Sequence, residues 1–229
     1  MNVCSMKMKI GLLFLFVLFS GFSPTFPKVL LIGDSISIGY FSYVENELNK
    51  KATLCHKPGN AQHTGTGLKN IKSWIETEQC DIIQFNRGLW DLSRIHKDLL
   101  KSGPQPKEFA QAIYSPEEYG KNLDSLVCIL ESTNAKLIFV TTTYVPKNEP
   151  YRFSADVKTY NRIAKQIMKK HHVQVNDIYS ASRKIHNQWG TSPDDVHFKN
   201  PRYKELSKSI SSFLLHTMEE LNHTPKNSD

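Results

Sequence analysis

The stretch Val29-Leu30-Leu31-Ile32-Gly33-Asp34-Ser35-Ile36-Ser37 decides how the chain is read. Four consecutive apolar residues, two of them β-branched, describe a short strand buried on both faces, the kind found inside parallel sheets. Gly33 ends the run. A helical pattern follows to about Lys50, with Ile38, Phe41, Val44 and Leu48 on one face. Ser35 therefore falls where a strand turns into a helix, its hydroxyl and N–H beside a helix N-terminus that favours negative charge. A serine there is also an ordinary helix cap, so any chemistry needs a partner from elsewhere in the chain.

Outward from this unit, strand and helix signals alternate. Ala52 to His56 reads as a weak second strand, and Leu68, Ile71, Trp74 and Ile75 mark the next helix. Asp81 to Phe85 is a third strand. Residues 116–131 form a helix opened by Ser115-Pro116-Glu117-Glu118. Lys136 to Thr142 is a fourth strand, 154–171 a helix, Val173 to Val175 a fifth strand, and 201–221 a closing amphipathic helix. This order predicts an α/β fold, a three-layer α/β/α sandwich around a central five-stranded parallel sheet. In such sheets ligands bind beyond the carboxyl ends of the strands, so function is expected in the loops after residues 32, 56, 85 and 143. The irregular segment 93–114 lies beside that edge as a candidate lid and carries Arg94, Lys97, Lys101 and Lys107.

The 229 residues, 39% hydrophobic and 22% charged, suit one soluble domain and exclude disordered and collagen-like chains. Residues 1–23 read as an export signal: Lys7 and Lys9, the apolar run Ile10 to Phe22, then Gly21 and Ser23 as small cleavage-site residues. An uncleaved membrane anchor is the alternative, although the run falls short of the ~20 residues that span a bilayer. The domain is then 24–222, with a frayed tail at 223–229. The protein is expected to be secreted or periplasmic, with no stable membrane span once the signal is removed. Losing Lys7 and Lys9 lowers the net charge from +7 to +5. The remaining charge is dispersed without a recognition motif, so no nucleic-acid partner is expected. Cys55, Cys80 and Cys128 remain as an odd set of thiols. No CxxC or HExxH occurs, and His171-His172 reads as a solvated helix cap. No cofactor and no metal are called for.

The partner for Ser35 comes from Asp194-Asp195-Val196-His197, just before the last helix. With Asp194 and His197 three apart in a turn, the carboxylate can orient the imidazole while the other ring nitrogen faces the serine.

With both pieces in place, the chain resembles the SGNH/GDSL hydrolases across residues 28–216. Gly33-Asp34-Ser35-Ile36 is similar to the family's first block, Asn60-Ala61-Gln62-His63-Thr64-Gly65 to its second, and Asp194 with His197 to its fifth. The resemblance implies a flavodoxin-like SGNH hydrolase fold with a catalytic Ser35, His197 and Asp194, and the Gly65 N–H as an oxyanion donor. The third block departs from the family pattern: Gly88-Leu89-Trp90-Asp91 places Trp90 where an asparagine is usual. Asn86, at the end of the third strand, is the preferred substitute donor, and the Trp90 indole N–H competes with it.

The resemblance implies ester hydrolysis without choosing the substrate; the mixed, basic 93–114 segment and the edge-loop aromatics point to a short acyl group, acetyl above all, on a polar, acidic carbohydrate. Trp90, Tyr114, Tyr144 and Tyr151 fall near the edge loops, where rings can stack on sugars or simply pack. A lipid-acting esterase or lipase, an acyltransferase with the same triad, and a catalytically weak glycan-binding protein are the alternatives. The expected partner is a small-molecule or glycan ester, and the oligomeric state is left open.

Overall fold

The computed structural model describes residues 26–76, 79–94 and 106–223. The expected export signal, most of the candidate lid and the tail beyond 223 lie outside the described residues. Strand β1 (Lys28–Ile32) has its last four residues buried, as a strand flanked on both sides must. It pairs in parallel with β2 (Thr53–His56) on one side and β3 (Ile82–Asn86) on the other. β4 (Lys136–Val140) and β5 (Gln174–Asn176) extend the sheet in parallel, giving the order β2-β1-β3-β4-β5. The chain moves outward from β1 to β2, then crosses back over β1 to β3 and continues. With right-handed crossovers that reversal puts helices on both faces. It also opens a crevice at the carboxyl ends of β1 and β3.

On one face α1 (Ser35–Glu47) packs against α6 (Asn200–His223), which also meets α5 (Tyr179–Trp189). On the other, α3 (Pro116–Glu131) lies between α2 (Thr64–Ile75) and α4 (Ser154–Lys170). The core joins β1, β3 and β4 to Tyr40, Val44, Leu206, Ile210 and Leu214 on one side. Tyr119, Leu123, Leu126 and Val127 close it on the other.

The α3 start is built as its sequence dictates. Ser115 Oγ accepts the Glu118 N–H, Glu118 returns a carboxylate to the Ser115 N–H, and Pro116 takes the first position. Elsewhere the structure differs from the sequence reading in three places. The buried stripe of α1 is Ile36, Ser37, Tyr40 and Val44, while Ile38 is 45% exposed. Spacing of four along that stripe is what faces α6. β4 stops at Val140, because the buried Thr141 and Thr142 bond through side chains to Asp177 and the Arg87 carbonyl. Helix α5 has no counterpart in the sequence reading; its buried residues, Ser182 and His186, are polar and make no apolar stripe.

Gly39 sets the spacing of α1 from α6, since a Cβ there would run into the Tyr203 ring. Gly39→Ala is expected to lower stability by about 1–3 kcal/mol, the usual range for overpacking, measured as a shift in the urea unfolding midpoint. Unchanged stability would mean that the two helices are free to separate.

Candidate active site

Asp34 occupies the N-cap of α1 and is 2% exposed. Its Oδ1 accepts the Ile36 N–H at 3.0 Å, Oδ2 accepts the Asn86 amide at 3.0 Å, and its carbonyl accepts the Ser37 hydroxyl at 2.7 Å. Burial raises the Asp34 pKa. The Ile36 N–H, the Asn86 amide and the Arg87 charge act in the opposite sense. This clamp holds the next residue, Ser35, at the start of the helix.

Ser35 Oγ lies 2.9 Å from His197 Nε2. His197 Nδ1 lies 2.6 Å from Asp195 Oδ1, which also accepts the His197 backbone N–H at 3.0 Å. The network assigns the tautomer: Nδ1–H donates to the carboxylate and Nε2 accepts from the serine. Burial works to raise the Asp195 pKa, but the hydrogen bonds and charge of His197 outweigh it and hold the carboxyl below the usual range.

The sequence reading placed Asp194 in this role, and the structure corrects it. Asp194 is exposed and accepts the Ser192 hydroxyl. Gly190 and Phe198 form an antiparallel bridge, with Thr191 N–H donating to the His197 carbonyl at 3.1 Å. Asp195 follows a turn over residues 192–195 and makes a tight turn of its own with His197, its Oδ1 accepting both the His197 N–H and the ring N–H, while Val196 and Phe198 are buried at 4% exposure each. Two adjacent aspartates of identical chemistry cannot be separated by spacing from the histidine alone.

A further residue, missed from sequence, supports the acid. His186 of α5, 7% exposed, lies with Nε2 2.7 Å from the Asp195 carbonyl. The available signal was Asp177, whose Oδ1 accepts the Tyr179 N–H at 3.2 Å at the start of that helix.

The second loop is tied to the first by Ala61 N–H donating to the Gly33 carbonyl at 2.9 Å. Thr64 donates its N–H and hydroxyl to Asp91 Oδ1 at 2.9 and 2.5 Å. Thr66 N–H donates to the His63 ring and Gly67 N–H to the His63 carbonyl. Gly65 N–H is left as the member of this first turn that donates to no described residue; Gly65 is the second residue of α2, and Ser35 is the first of α1. Tyr114 packs so closely on Gly65 that a Cβ there would overlap its hydroxyl.

The third loop turns at Gly88, whose φ of +129° and contact with Thr142 exclude a side chain. The Arg87 carbonyl accepts from Tyr119 and Thr142, and Arg152 Nε donates to the Leu89 carbonyl at 2.7 Å. Arg87 itself is 2% exposed. Burial lowers its pKa and raises those of Asp34 and Asp91; the mutual attraction of the three charges opposes both trends. Asn86 is turned inward, with its amide on Asp34. Trp90 is half-buried, and its indole N–H donates to no described residue.

The basic segment is only partly an open surface. Arg94 is paired with Asp156 at 2.7 Å, and Lys107 donates to the Glu149 and Arg152 carbonyls; Lys97 and Lys101 lie outside the described residues. Among the described residues, Asp124, Cys128 and His171 could hold a metal. His171 caps α4 and bonds Asp124 and Glu131, and Lys170 bonds Asp124, so the group forms an ion-pair network on the α3–α4 surface.

No protein-family model and no curated protein sequence matches the chain. Solved structures do. A lipase/acylhydrolase from Enterococcus faecalis superposes with a TM-score of 0.67 at 19% identity, over 84% of this chain and 97% of that one. The chain shares the fold of that protein. The acetyl xylan esterase AlAXEase gives a TM-score of 0.64 at 14% identity, over 82% and 99% of the two chains. The acetylxylan esterase Axe2 from Geobacillus stearothermophilus gives 0.64 at 19%, over 81% and 93%. The shared fold is a parallel five-stranded sheet covered by helices on both faces.

The two aspartates are separable by mutation. Asp195→Asn is expected to cut kcat on a short acyl ester by about 10⁴-fold, the scale set when a triad acid loses its charge. Asp194→Asn should stay within a few-fold of the parent. The reverse ranking would restore Asp194 as the acid.

Proposed function

We propose that this protein is a serine ester hydrolase of the SGNH type, acting on short acyl esters of carbohydrates. The chain Ser35 Oγ, His197 and Asp195, with consecutive separations of 2.9 and 2.6 Å, carries the reading. In the reaction, Ser35 Oγ bonds to the ester carbonyl carbon as His197 Nε2 takes the hydroxyl proton. The bond to the leaving alcohol then breaks, and His197 returns the proton to that oxygen. Water repeats the attack on the acyl-enzyme, with His197 again as base, and releases the acid and free Ser35. Asp195 stabilises the imidazolium formed in each half.

The developing oxyanion is received by the Ser35 and Gly65 N–H groups, which stand at the first turns of α1 and α2 on neighbouring strands. The Asn86 amide holds Asp34 and so acts as a positioning group. Trp90 supplies the third donor. Its replacement by Phe, which keeps the ring and removes the N–H, is expected to lower kcat by about 10²–10³-fold. An undiminished kcat would return that role to Asn86.

The short acyl group and the carbohydrate are supported by two of the structural neighbours being acetyl xylan esterases. The 1–23 segment supports export. No helix of the described residues is long and apolar enough to cross a membrane. The experiment is hydrolysis of p-nitrophenyl esters of increasing chain length. Acetate should be the best substrate, with turnover lost in Ser35→Ala. A preference for long chains would favour the lipid reading, and full activity in Ser35→Ala would sink the serine mechanism.

A further inference from the structure

Between the loop after β4 and the connection from α5 to α6 lies a hollow of about 580 Å³, lined mainly by polar atoms. We propose that it is the subsite for the alcohol part of the substrate, and that it takes an acidic oligosaccharide. This rests on the hydrolase reading and extends it to the leaving group.

Position is the first argument. The wall of the hollow is built from the residues that hold the catalytic acid and base. His186 lines it, contacts the Tyr144 ring edge-on at 5.5 Å, and bonds the Asp195 carbonyl. Thr191 lines it and donates to the His197 carbonyl. Ser35, Asp195 and His197 do not line the hollow themselves; it meets the last two through His186 and Thr191.

Its surface is the second. Trp189 is 46% exposed on this wall. Arg202 sits over its ring at 3.5 Å from the centroid, which fixes the indole as a platform before any ligand arrives. A rigid, half-exposed aromatic beside polar groups suits a sugar, whose C–H face packs on the ring while its hydroxyls meet the polar rim. Tyr144 also lines the hollow and offers a second ring.

Charge is the third. Lys147 and Lys199 line the hollow, both exposed, and no Asp or Glu lines it. Asp194 accepts the hydroxyl of the lining Ser192 and keeps its negative charge beside the hollow. A uronic acid carboxylate placed between the two ammonium groups meets two positive charges against that one acid, whereas an acyl chain meets a wet, charged wall.

Binding is measured without turnover, by calorimetric titration of the Ser35→Ala protein with unesterified oligogalacturonate and with neutral xylo-oligosaccharide. The acidic ligand should bind more tightly, and more weakly as salt rises. Trp189→Ala should weaken both ligands by about tenfold, the loss of roughly one stacking contact. The Lys147→Gln/Lys199→Gln pair should weaken the acidic ligand alone. Equal affinity for both ligands would overturn the acidic assignment, and insensitivity to all three substitutions would overturn the subsite. Failure of the hydrolase reading shows separately, as wild-type protein inactive on p-nitrophenyl acetate while the titration still succeeds.

Discussion

The buried carboxylate of Asp34 is the interaction on which the rest of the site depends. It caps α1, receives the Asn86 amide from β3, and is attracted by the Arg87 charge. Its own carbonyl is tied into the first turn. Through these contacts one side chain joins two adjacent strands and a helix at the point where Ser35 leaves the sheet. Burying that group raises its pKa, and the amide donors and Arg87 oppose the effect. The sign follows directly: an acid with a raised folded-state pKa weakens the fold as pH rises through the range between its unfolded and folded values. The position therefore carries a cost that a simple N-cap, exposed to water, would not.

The base and acid reach Ser35 by a different device. A bridge between Gly190 and Phe198 closes the 191–197 loop, and α5 holds that loop through His186. Within it, the turn in which Asp195 Oδ1 accepts the His197 N–H and ring brings residues 195 and 197 together. The same segment forms the wall of the polar hollow. One stretch of chain thus carries both Asp195 and His197 and part of the hollow, and His186 links the two.

Most of the fold is legible in the sequence because its central strands are continuous apolar runs, Val29 to Ile32 and Ile82 to Phe85, which only a doubly covered sheet can bury. Ser35 and His197 are legible as well, since a strand–helix junction and the segment before the last helix both return to the carboxyl edge. Asp195 is not. The choice between neighbouring aspartates depends on the local turn that points Asp195 at His197 and leaves Asp194 exposed. Helix α5 escapes because its buried face is polar. The inward turn of Asn86 escapes because its partner, Asp34, lies 52 residues away.

The central claim is that Ser35 is a nucleophile activated by His197. A fluorophosphonate, which reacts with activated serines, tests it when the modified peptide is mapped by mass spectrometry. The account predicts stoichiometric modification at Ser35 in the native protein and loss of that modification in His197→Ala. Unmodified Ser35 in folded protein, or equal modification without His197, would contradict it.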